Sequence, residues 1–126
     1  MRTKQLTFLL ALTFLFLFSG SSVVFADDYQ DGLDAYQKQD YKTAHKFWLS
    51  LAEQGHADAQ SNLGVMYYIG QGVPQDYVSA HMWWNICGSS GDKGCVEKRN
   101  ILEKKMTKQQ IEKAQEMARN WEPTSK

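Results

Sequence analysis

The stretch QDYKTAHKFW (residues 39–48) returns 36 residues later as QDYVSAHMWW (residues 75–84). At that shift Gln39, Asp40, Tyr41, Ala44, His45, Trp48 and Gly55 meet Gln75, Asp76, Tyr77, Ala80, His81, Trp84 and Gly91, and Phe47 meets Trp83. Seven identities within 17 positions at one fixed offset mark an internal repeat. A period of this size belongs to stacked helical pairs, in which one pair cannot bury its own apolar face and a copy covers it.

Local patterning agrees. Ala44, Phe47, Trp48 and Leu51 fall at i, i+3, i+4 and i+7, and Ala80, Trp83, Trp84 and Cys87 repeat the spacing, so each segment carries one apolar helical face. Asp40 and Asp76 stand where an N-cap belongs, and Gly55 and Gly91 where a helix should stop. Leu63, Met66 and Tyr67 predict a further helix over about 58–69, ended by the glycine and proline turn GQGVP at 70–74. Thr107 followed by Gln110 forms a capping-box pattern ahead of Ile111, Ala114, Gln115, Ala118 and Trp121 at helical spacing. No strand signal is visible. The expected fold is all-α, a right-handed α/α solenoid of about three antiparallel helix pairs near 27–54, 56–89 and 92–121, with 124–126 as a tail.

The first 26 residues read differently. Arg2 and Lys4 precede the uncharged run LTFLLALTFLFLF (residues 6–18), and Val24-Phe25-Ala26 places small residues before a cut ahead of Asp27. That order is a secretory signal peptide, which predicts an exported, periplasmic or secreted protein. The run is short for a membrane span, so no stable insertion is expected after cleavage; an uncleaved N-terminal anchor over 6–26 is the alternative. Removing the leader leaves 12 basic and 14 acidic residues. Without a basic stripe the chain lacks the electrostatic footprint of a nucleic-acid binder.

Ala59, Leu63, Gly64, Tyr67, Gly70, the run Gly72 through Tyr77 with Pro74, then Ala80, Trp83 and Gly91 resemble the signature of SEL-like repeats, a subclass of the tetratricopeptide superfamily. The first copy is partial: AEQGHADAQ (residues 52–60) is typical, but the glycine loop is missing. Cys87 takes a position that such repeats usually fill with alanine. The tail from Lys104 to Trp121 resembles the terminal helix pair of short bacterial members. In this reading Ala59 and Gly64 let helices approach closely, Tyr67 and Trp83 fill the space between pairs, and Gly70 and Gly72 adopt backbone angles that side chains forbid.

Cys87 and Cys95 are the only cysteines, eight apart across the turn at Gly91. They match Leu51 and Ala59 of the first copy, both inward positions at adjoining helix ends. In an exported chain that placement favours a disulfide, with free buried thiols as the alternative. The same spacing resembles cysteine-rich bacterial members of the family.

Catalytic patterns are sparse. Ser90 and Lys93 fit S-x-x-K, but the partner motifs S-D-N and K-T-G are absent, and the serine falls in an inter-helix turn. His45, His56 and His81 have no spacing that builds a metal site. No metal, cofactor or catalytic set is expected. The family resemblance implies instead a groove lined by the first helix of each pair, which holds a protein or peptide. By register its outward positions are Tyr29, Leu33, Tyr36, Asp58, Ser61, Val65, Tyr68, Ile69, Ile101 and Lys104. The expected function is a non-catalytic binding adaptor of the bacterial envelope. The alternative, carried by family association and the S-x-x-K match, is binding or hydrolysis of β-lactams or cell-wall fragments.

Overall fold

The computed structural model describes residues 27–124, so the expected leader or anchor lies outside the described residues. Among the described residues six helices follow one another: α1 over 27–37, α2 Tyr41–Glu53, α3 Ala57–Ile69, α4 Tyr77–Ser89, α5 Lys93–Glu103 and α6 Lys108–Asn120. Among the described residues there is no strand. No described helix is long and apolar enough to cross a membrane.

The helix ends form for the reasons their sequences give. Asp40 and Asp76 accept hydrogen bonds from the backbone N–H groups of Thr43 and Ser79. Asp92 does the same for Cys95 at the start of α5. Each aspartate satisfies a donor that the first helical turn would leave orphaned. His56 caps α3 through its ring, with Nδ1 accepting from the Ala59 N–H at 3.2 Å. Thr107 and Gln110 complete the capping box in both directions. At the other ends, Gly55 and Gly91 take left-handed φ of 96° and 103°.

The apolar residues condense into two adjoining clusters. Trp48, Leu51, Leu63, Met66, Trp83 and Ile86 anchor the first; Ala80, Trp84, Cys87, Cys95 and Leu102 make the second. Helix α4 serves both, sending Trp83 and Ile86 one way and Ala80, Trp84 and Cys87 the other. An inner helix covered on two sides must be apolar on two sides, whereas outer helices need only one stripe. Half-buried Tyr67 leans on both clusters and joins them.

Within the first two pairs, α1–α2 and α3–α4, the helices meet at a glycine. A Cβ on Gly64 would fall inside the Trp84 indole, and one on Gly32 inside the Trp48 indole. Each indole N–H donates to a carbonyl three residues before its glycine: Trp84 to Ser61 at 3.1 Å and Trp48 to Tyr29 at 3.4 Å. The two pairs use the same device. Gly72 works otherwise. Its φ is 72°, and a Cβ there would meet the Tyr41 carbonyl at 2.8 Å, so the long turn folds against the start of α2.

The last helix departs from simple stacking. Its main contact is with α4 rather than with its chain neighbour α5. Ala114 is fully buried, and Ala118 and Trp121 reach the first cluster, where Trp121 meets Trp83 edge-on at 6.3 Å. Beyond α6, the Thr124 N–H and hydroxyl both donate to the Glu53 carbonyl at the end of α2, at 2.7 and 3.2 Å.

Candidate functional site

Bonds between successive first helices define the face they share. Asn62 donates to the Tyr29 hydroxyl and the Tyr36 hydroxyl donates to Gln71, which ties α1 to α3 and its turn. Lys98 donates to the Ser61 hydroxyl and Lys105 to the Tyr68 hydroxyl, which ties α3 to α5 and the turn after it. Residues 61 and 68 pair with 98 and 105 at one constant shift, so α3 and α5 run parallel. The first helices therefore stand side by side, as a solenoid requires.

The face is less aromatic at its surface than the sequence suggests. Tyr29 stacks on His56 with centroids 5.2 Å apart, Tyr36 packs on Tyr41 and Trp48, and Tyr68 stacks on Tyr77 and leans on Trp84. These three tyrosines are half-buried wedges between helices whose hydroxyls are engaged by Asn62, Gln71 and Lys105, and Leu33 and Val65 are likewise half-buried against the clusters. Asp58, Ile69, Ile101 and Lys104 are exposed, and Ser61 is half-buried. Ile69 and Ile101, at 52% and 53% exposure, are the large apolar side chains most open to solvent among the described residues. Ile101 belongs to a shallow depression of about 310 Å³ along α5, lined with Lys93, Val96, Glu97, Asn100 and Lys104.

The repeat-building residues stand where close packing needs them. Ala59, Leu63 and Ala80 are fully buried, Gly64 and Trp83 are buried, and Gly70 caps α3 in a left-handed conformation. Pro74 and Gly91 are exposed in their turns. Cys87 and Cys95 are joined in a disulfide, with Cα atoms 5.9 Å apart and both residues fully buried.

The three histidines are structural partners. His45 and His81 occupy the same place in successive pairs, and each bonds to a residue 22 positions on: His45 Nε2 to the Tyr67 hydroxyl at 3.2 Å, His81 Nε2 to a Glu103 carboxylate oxygen at 2.8 Å. Burial pushes the His45 imidazole below its usual pKa. Burial, and then the charge of Asp76, pushes the Tyr67 phenol above its usual value. The folded protein thus resists protonating His45, and the unfolded chain takes up that proton first as pH falls through about 6.5. Stability tied to neutral His45 is complete above that pH and declines below it. Melting temperatures recorded from pH 7.5 down to pH 5 should fall, and His45→Gln should flatten that decline.

Ser90 is exposed, and its hydroxyl donates to the Cys87 carbonyl at 2.7 Å, closing the end of α4. Lys93 is exposed at the first position of α5. Their spacing serves a helix–turn–helix joint.

A parallel rank of first helices backed by second helices, with shared glycine–tryptophan joints, defines an α-helical repeat solenoid. The Sel1 repeat model matches residues 10–56 and 57–92, and the chain belongs to the Sel1 repeat family. The first matched span begins inside the segment read as a leader. A solved structure of c5321, a protective antigen present in uropathogenic Escherichia coli strains that displays an SLR fold, is similar with a TM-score of 0.73 and 32% identity. The match covers 77% of this chain and 22% of that one. The uncharacterized protein NMB1327 of Neisseria meningitidis serogroup B (strain ATCC BAA-335 / MC58) is 53% identical over 34 residues, which is 27% of this chain and 7% of that protein. The chain therefore spans less than a quarter of either relative's length. Sel1 repeats commonly mediate protein–protein interaction.

Proposed function

We propose that this chain is an exported, non-catalytic binding module of the bacterial envelope whose first-helix face holds a protein or peptide segment. The observation that carries the reading is the pair of open isoleucines, Ile69 on α3 and Ile101 on α5, on a face otherwise stitched by polar bonds. Apolar side chains left in water beside fixed polar groups suit the core-and-rim pattern of a partner surface. Export rests on the leader pattern of residues 1–26. Photo-crosslinkers at positions 69 and 101 should yield discrete adducts in intact cells, whereas one at exposed Lys113 on α6 should not. Ile69→Glu with Ile101→Glu should abolish the adducts formed from position 65 while the helical circular dichroism stays unchanged. Adducts that survive that double substitution would remove the face from consideration.

A further inference from the structure

The first and last of the first helices each expose positions that their repeat equivalents bury. At a shift of 32, Ala59, Leu63 and Met66 of α3 meet Asp27, Asp31 and Asp34 of α1. In α3 those three residues are fully buried, in one cluster with Trp48 and Leu51 of the preceding pair. In α1 all three are exposed aspartates. At the other end, a shift of 36 sets Ser61, Gly64 and Tyr68 of α3 on Glu97, Asn100 and Lys104. In α3, Trp84 of the same pair covers Gly64, and Lys98 and Lys105 bond to Ser61 and Tyr68. In α5 the three positions are exposed, because α6 packs on α4 instead. With Lys93, Val96 and Ile101 they line the depression of about 310 Å³.

We propose that this α5 face is a docking site for the α1 face of a second copy of the chain, so that copies join head to tail. This goes beyond the binding-module reading and does not depend on it: charges at the two ends carry it, and Ile69 has no part in it.

Charge selects the occupant. Residues 27–38 hold four aspartates and one lysine, whereas residues 93–105 hold five basic residues and two glutamates. A polar end keeps a stack soluble whatever its sign. Opposite signs at opposite ends also make those ends attract. Lys93 and Lys104 flank Val96 and Ile101, so two cations border an apolar floor. Glu97 is the one acid in the depression. Carried one unit on, the register of the 61–98 and 68–105 bonds answers it. That register sets Gln30 of the second copy at Glu97, an amide beside a carboxylate, and Asp34 of the second copy at Ile101, one turn from Lys104. The two faces differ, so the contact does not close on a two-fold axis but repeats. Charges partly open to water bind weakly and are screened by salt. The chain should be monomeric when dilute and grow when concentrated.

The test uses the exported protein made from the full chain, followed by sedimentation equilibrium. In about 20 mM salt the average mass should climb past two chains as protein approaches about 1 mM, and about 500 mM salt should return it toward one. Lys93→Glu with Lys104→Glu should weaken association at least tenfold, as should Asp31→Lys with Asp34→Lys in a separate chain. Mixing these two variants should restore growth, because each then meets an end of opposite charge. Circular dichroism shows that each variant keeps its helices. A wild type that stays monomeric at low salt would overturn the proposal, and so would growth that stops at two chains. Variants that assemble as well as the wild type, or a mixture that stays monomeric, would overturn it equally.

Discussion

Gly64→Ala should lower the melting temperature by about 10–20 °C. In an ordinary exposed helix this exchange stabilises by about 1 kcal/mol, because alanine is the better helix former. Here the sign reverses. The new methyl would occupy space held by the Trp84 indole, whose N–H is anchored to the Ser61 carbonyl. Relief requires the ring to leave its rotamer or α3 and α4 to part, and overpacking of this kind costs about 1–3 kcal/mol. In a domain of this size each kcal/mol moves the midpoint by roughly 4–8 °C. Trp84→Phe is the control. Alone it should destabilise; combined with Gly64→Ala it should cost less than the two losses added, because the smaller ring makes room. Additive losses, or a Gly64→Ala chain that melts at or above the wild-type temperature, would contradict the close approach. Gly32→Ala should repeat the behaviour against Trp48.

Removal of the disulfide has the second large expected effect. Cys87 and Cys95 close a ring of nine residues. The loop-entropy relation gives about 2.5 kcal/mol for a ring of that size, a large part of the total stability of a small domain. The double substitution Cys87→Ala with Cys95→Ala should lower the melting midpoint by about 10–20 °C, and strong reductant should do nearly the same to the wild type. Both cysteines lie in the second cluster, so the loss should fall chiefly on α5. Hydrogen exchange resolves this: amides of α5 should lose protection well before those of α2. Uniform loss across all helices would contradict it.

Much of the fold is legible in the sequence because repeat chemistry is local. The aspartate caps, the left-handed glycines after α2 and α4, the Thr107–Gln110 box and the cysteine spacing each declare themselves within a few residues, and all stand as expected. The Gly32–Trp48 joint does not. The connection after Tyr36 is four residues shorter than the one after Tyr68, so a comparison at a single shift of 36 never sets α1 on α3. A shift of 32 would have done so, placing Gly32 on Gly64 and Tyr36 on Tyr68. The destination of α6 is also hidden. Ala114, Ala118 and Trp121 announce an apolar stripe, but a stripe names no partner, and α4 wins because its Trp83 and Ile86 face has room for one more helix. The candidate face was legible only as positions. Whether a tyrosine wedges between helices or stands free depends on neighbours such as His56, Tyr77 and Trp84 that lie far away in the chain.

The clasp between Thr124 and Glu53 has a bearing on how the molecule comes apart. A linear array touches only its neighbours and can peel from either end, one unit at a time. Here Thr124 is hydrogen-bonded to the end of the second helix across 71 positions, so the segment after α6 is tied back to the first pair. With this tie the described array is not an open strip at α6, and the segment after α6 should come away from α2 only when that contact breaks. Any attempt to lengthen it by grafting another unit after α6 must first undo that clasp.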